Sequence, residues 1–190
     1  MLTRIVALLP HHRKRIRQVA QLLIVGFENH WPGYWTDLGS GLAEVKESFA
    51  KDRISRVALD ERGDVLGWIG GISQYEGHVW ELHPIVVDPG RQGQGIGRAL
   101  MVNFEEQVRL RGGLTILLGS DDEDDMTTLA GIDLYPDPLV HLARIENRRG
   151  HPFEFYQKLG YSLVGVVPDA NGWGKPDILM AKRVQPAPVG

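Results

Sequence analysis

The sequence predicts a single α/β domain built on a mixed, largely antiparallel sheet with flanking helices. Three observations predict it. Helical periodicity marks the early chain and residues 96–111. Strand-like runs separated by short turns fill residues 54–87. Strand–helix–strand alternation follows residue 114. At 190 residues the chain suits one domain, taken as residues 1–184 with a frayed tail, QPAPVG, at 185–190.

The elements follow in order. LTRIVAL (2–8) reads as a strand, and Ile16, Val19, Ala20, Leu23 and Ile24 recur at helical spacing over residues 12–26. NHWPGYW (29–35) is a loop broken by proline and glycine, and helical spacing resumes with Leu42, Val45 and Phe49. ISRVALD (54–60) and VLGWIGGISQY (65–75) flank the turn residues ERGD, and HVWELHPIVV (78–87) ends at DPGRQGQG. IGRALMVNFEEQVRLR (96–111) is a helix stopped by Gly112 and Gly113, and LTILLG (114–119) is a buried strand. An irregular region then leads to a helix at 152–159 and strands at 161–167 and 177–184.

Composition excludes several function classes. A net charge of −3 lacks the basic excess of a general nucleic-acid binder, and HHRKRIR (11–17) reads as the solvated face of the first helix. With no cysteine, disulfides, thiolate metal sites and a cysteine nucleophile are excluded. MLTRIVALLP lacks the pattern of a signal peptide, and no apolar run reaches the ~20 residues of a membrane span. The expectation is a cytoplasmic protein that binds neither membrane nor nucleic acid.

The most specific local feature is RQGQGIG, Arg91 to Gly97. Glycines at alternate positions let successive N–H groups turn to one side, and the helix that follows adds the positive end of its dipole. Strand, glycine turn and helix N-terminus make an anion site suited to a pyrophosphate. A Walker A loop is excluded, because Gly97 is followed by Arg98 and Ala99; a Rossmann fingerprint would require glycine at position 98.

The pattern Gln92-x-x-Gly95-x-Gly97 resembles the acyl-CoA loop of the GCN5-related N-acetyltransferase superfamily. WELHPIVV, RGGLTILLGSDDEDD, TTL, DLY, HPFEFYQKLGY and NGWGKPDILMAK are similar to segments of its small dimeric aminoglycoside 6'-N-acetyltransferases, over about residues 78–184. The resemblance implies the superfamily fold, with strands splayed at the acyl-CoA site, and a homodimer. It also implies acetyl transfer from acetyl-CoA to the 6'-amino group of an aminoglycoside antibiotic, through a tetrahedral intermediate and conferring resistance. The acyl donor would lie on Ile85, Val86, Val87, Gln92, Gly93, Gln94, Gly95, Ile96, Gly97, Arg98 and Tyr156.

Such chemistry needs a base for the ammonium, donors for the oxyanion and an acid for the leaving thiolate. Glu81 and His83 lie two apart in an extended strand and so share a face. That places a carboxylate and an imidazole together, and the resemblance implies Glu81 as the base with His83 its orienting partner; a solvated or substrate-anchoring Glu81 remains the alternative. Pro84 removes a ladder donor. By resemblance the Ile85 N–H would face the thioester carbonyl, the Val87 N–H the pantetheine, and the Tyr156 phenol the sulfur. A core tyrosine is the alternative for Tyr156. The superfamily's asparagine seven residues before this tyrosine is Arg149 here, with Asn147 displaced by two, so neither receives a pantetheine contact. His78 falls on the opposite strand face from Glu81 and His83, which argues against zinc, and no metal is expected.

A polycationic acceptor calls for carboxylates and flat aromatic surfaces. Trp31, Tyr34, Trp35 and Tyr75 supply rings, and Asp121, Asp122, Glu123, Asp124, Asp125 and Glu146 supply charge. By resemblance, Trp31, Tyr75, Glu81, Asp124 and Glu146 would be the acceptor contacts, with two or three of the acids at 121–125 merely solvated. An EF-hand is excluded, since Met126 and Ile132 occupy its glycine and terminal glutamate positions. Rival readings are acetylation of another amine (a polyamine, a small metabolite or a protein lysine) and a non-catalytic CoA-binding module.

Overall fold

The early apolar residues form a short strand, β1 (Arg4–Ala7), and the first helical repeat forms α1 (Arg13–Phe27), which buries Val19, Ala20, Leu22 and Leu23. The structure is a computed structural model that describes residues 3–28 and 33–186. A second helix, α2 (Leu38–Glu47), starts at a capping box. The Asp37 carboxylate accepts from the Ser40 amide at 2.8 Å, and the Ser40 hydroxyl lies 3.3 Å from the Asp37 amide that donates to it. Strands β2 (Arg53–Leu59), β3 (Val65–Gln74) and β4 (Val79–Val87) follow as antiparallel neighbours, with β1 on the outer side of β2. Helix α3 (Ile96–Leu110) completes this first compact unit, which comprises the chain up to Leu114 and from Val184 onward.

Helices cover both faces of these four strands. Trp68 is fully buried with Val19, Leu23, Val45 and Trp35, so its face of the sheet belongs to α1 and α2. The neighbouring positions 67 and 71 face α3: a β-carbon on Gly71 would stand 2.3 Å from the Phe104 ring. Among the described residues, no helix is long and apolar enough to cross a membrane.

The second unit, residues 115–183, carries β5 (Thr115–Asp121), β6 (Ser162–Val167) and β7 (Asp177–Arg183), with β7 paired antiparallel to both others. Two short helices interrupt its long connection, α4 (Pro138–Leu142) and α5 (Phe153–Gln157). The sequence pattern predicts no helix at the first of these and a longer span, 152–159, for the second. Helix α4 has only five residues, too few to show a period. Strand β5 runs two residues beyond its expected end, so the first of the five acids, Asp121, is a strand residue paired with Asp177.

Candidate active site

Strand β4 carries one extra residue opposite β3. Gly71 faces Leu82 but Ile69 faces Ile85, so His83 and Pro84 together oppose the single Gly70. The strands approach closely there: a β-carbon on Gly70 would lie 2.3 Å from the His83 carbonyl oxygen. The bulge divides the strand into two phases. On one side Glu81 is paired with Ile72, which puts Glu81 and His83 on the sheet face of Trp68, α1 and α2. On the other side Val86 pairs with Trp68, which turns Ile85 and Val87 to the opposite face.

The backbone follows the same phase. The Asp88 N–H donates to the Leu66 carbonyl at 2.9 Å, so the alternation of an antiparallel ladder directs the N–H groups of Ile85 and Val87 away from β3. Those are the two amides expected from the sequence to receive the acyl donor.

Glu81 is half-buried and its Oε2 accepts from the Gln74 side-chain amide at 3.1 Å. Gln74 is one residue that sequence reasoning missed; only its position at the end of β3, diagonal to Glu81, reveals it. Glu44 of α2 is another. Burial pushes its carboxyl above the usual carboxylate range, against the pull of the nearby His83 imidazole and a hydrogen bond from the Trp35 side chain. Trp35 is therefore a core residue, packed on Phe27 with ring centroids 4.8 Å apart, and not one of the acceptor-facing rings considered above. Trp31 lies outside the described residues. Tyr75 is 75 % exposed at the head of the tight turn that joins β3 to β4.

The glycine loop has the conformation its composition requires. Gly93 and Gly95 sit at φ 74° and 82°, in the left-handed region, and Gly95 is the residue that begins α3. No side chain caps that helix, so the amides of Ile96, Gly97 and Arg98 have neither a helical carbonyl nor a capping group. Gly97 itself is a helical residue rather than a third turn glycine. Gln92, Gln94 and Arg98 are exposed beside this run. An array of free amides at a helix start fits a pyrophosphate.

In the second unit the acidic turn is held from several sides. Asp122 has no exposed surface, and its two oxygens accept from the amides of Met126 (2.7 Å) and Thr127 (2.8 Å). It is a buried framework group, where the sequence suggested solvated or ligand-facing acids. Residues 126–128 pair with 146–149. Thr128 N–H donates to the Glu146 carbonyl (3.1 Å), Glu146 N–H to the Thr128 hydroxyl (3.0 Å), and Arg148 and Arg149 N–H to the Met126 carbonyl. The Arg149 guanidinium binds the carbonyls of Asp124 and Asp125, with Asp125 at φ 52°. Asp124, Asp125 and Glu146 are exposed on this clasp, and Asp121 is bound by the Asn171 side-chain amide. Burial raises the Glu123 carboxyl, with repulsion from Asp121 and Asp124 adding to it and Lys175 opposing.

Tyr156, on α5, is 7 % exposed, and burial pushes its phenol up to about 12. It packs edge-on against Phe155 and Tyr161. A phenol in that state keeps its proton throughout the neutral range and acts as a donor.

The acetyltransferase (GNAT) family profile matches residues 16–135. Seven mostly antiparallel strands, flanking helices and the glycine loop before α3 are those of this fold, and the chain belongs to the GNAT acetyltransferase family. Among solved structures it is similar to an aminoglycoside 6'-N-acetyltransferase complexed with coenzyme A. The two share 42% identity over 98% of this chain and 99% of that one, with a TM-score of 0.90. The aminoglycoside 6'-N-acetyltransferase from Enterococcus faecium is 42% identical over the same shares, with a TM-score of 0.88. The type Ii enzyme is 37% identical over 97% and 99% of the two chains, with a TM-score of 0.75. Comparison with curated protein sequences gives no match.

Proposed function

We propose that the protein transfers the acetyl group of acetyl-CoA to the 6'-amino group of an aminoglycoside. The observation that carries this reading is the near end-to-end similarity, at 42% identity, to structures of aminoglycoside 6'-N-acetyltransferases. Acetyl-CoA supplies an acyl carbon activated by its thiolate leaving group. Gly93, Gly95 and the first amides of α3 bind its pyrophosphate, with Gln92, Gln94 and Arg98 around them. The Val87 N–H takes the pantetheine.

Glu81, oriented by Gln74, accepts the proton of the acceptor ammonium, directly or through a water, with His83 beside it. As the N–C bond forms, the Ile85 N–H receives the charge that develops on the acyl oxygen. As the C–S bond breaks, the Tyr156 phenol donates to the sulfur. Asp124 and Glu146 attract the ammonium groups of the acceptor, and Tyr75, with Trp31, offers ring surface. The crowded, like-charged turn at 121–125 suits a polycation better than a singly charged amine.

CoA release measured in parallel with kanamycin, spermidine and a histone-tail peptide tests the acceptor class. Release with kanamycin is expected, and release with the peptide alone would overturn the reading. Tyr156→Phe is expected to lower kcat about 10²-fold, the low end for a general acid, with CoA affinity little changed. An unaltered kcat, measured under saturating substrates, would return Tyr156 to the core. The reading further takes the protein as a cytoplasmic homodimer that confers aminoglycoside resistance. Light scattering should then give twice the chain mass of 21.2 kDa, and expression should raise the inhibitory concentration of kanamycin.

A further inference from the structure

His151 is only 2 % exposed and belongs to none of the catalytic roles above. Its Nδ1 accepts from the Phe153 amide at 3.2 Å, and its Nε2 lies 3.0 Å from the Asp121 carbonyl oxygen. An amide can only donate and a carbonyl can only accept, so a single state satisfies both contacts: a neutral ring with its proton on Nε2. Phe153 is the first residue of α5, the helix of Tyr156, and Asp121 is the last residue of β5, from which the acidic turn departs.

The backbone of His151 is equally committed. The Asn147 side chain accepts from its N–H at 2.8 Å and donates to its carbonyl at 3.0 Å, while Asn147 itself bridges to Thr127 in the clasp of the acidic turn. Asn147, which the sequence gave no role, thereby joins the clasp to the start of α5.

We infer that His151 is a positioning residue that sets the acid-bearing turn and the helix of Tyr156 in one fixed arrangement through the Asp121 carbonyl and the Phe153 amide. The inference rests on the acetyltransferase reading above for the jobs of the two parts it joins. Burial holds the imidazole below its ordinary value, against the Asp121 carbonyl and the Asp122 and Asp121 charges, which agrees with the neutral ring that the geometry requires.

Two substitutions divide the joint. The amide oxygen of asparagine reaches the place of Nδ1, and the amide nitrogen of glutamine that of Nε2. H151N keeps the acceptor for Phe153 and loses the tie to Asp121. It is expected to raise KM for kanamycin about 10-fold with kcat nearly unchanged, the scale of one lost buried hydrogen bond. H151Q keeps the tie to Asp121 and loses the acceptor for Phe153, and is expected to lower kcat about 10-fold with KM nearly unchanged. Parallel loss of both parameters in both variants, in step with Tm, would overturn the inference in favour of a purely structural histidine; so would two unaffected variants. Ring ¹⁵N shifts of His151 in the wild-type protein give a readout independent of activity. The proton is expected on Nε2 at neutral pH, and a proton on Nδ1 would overturn the joint. Absence of wild-type turnover with kanamycin would instead remove the acceptor reading, with the ring shifts still deciding the joint.

Discussion

Glu81→Ala is expected to lower kcat/KM for kanamycin about 10³-fold, within the range for loss of a general base, while CoA affinity holds. The carboxylate stands on the face of β4 shared with His83, fixed by the Gln74 amide. Glu81→Gln keeps a partner for Gln74 and is expected to fold and bind CoA like the parent protein. A loss of turnover in that variant therefore isolates basicity from packing. Steady-state kinetics with calorimetric CoA titration check both. Unchanged turnover in Glu81→Gln would reduce Glu81 to a binding group.

Asp122→Ala is expected to destabilise the protein by about 3 kcal/mol, since it strips one buried and one half-buried amide of their acceptor at roughly 1–3 kcal/mol each. In a chain of this size that corresponds to a fall in Tm of about 10 °C. The same change frees the turn of Asp124, so KM for the aminoglycoside should rise even at temperatures where the variant is folded. Asp122→Asn retains one acceptor oxygen and should fall between the two. A thermal melt that leaves Asp122→Ala indistinguishable from the parent would show that the turn is held by Arg149 and the 126–149 clasp alone.

Local pattern made much of this molecule legible in advance. The alternation of VWELHPIVV and the spacing of IGRALMVNFEEQVRL place β4 and α3 nearly to the residue, and the glycines of the loop between them announce left-handed backbone before any coordinate is seen. What stayed hidden depends on partners that no local pattern brings together. Gln74 matters through its diagonal neighbour across two strands, and His151 through a carbonyl thirty residues earlier. In the run DDEDD, composition alone gives five equivalent charges; the fold buries Asp122 completely, binds Asp121 to Asn171 and leaves Asp124 and Asp125 exposed. Trp35 misled for a related reason. It sits among loop aromatics, yet its ring closes the core beneath α1 and α2.

The residues at which the second unit begins and ends carry a design consequence. Leu114 donates to His78 and accepts from Val184, while Thr115 and Arg183 are direct partners across β5 and β7. The chain thus leaves and returns at adjacent points, and residues 115–183 are topologically a cassette. The acids of the turn, Glu146 and Tyr156 travel together in it; Glu81 and the glycine loop before α3 do not. On the proposed acceptor contacts, exchanging that cassette between relatives at these two joints is expected to transplant an acceptor preference as one inherited block, a natural unit for recombination.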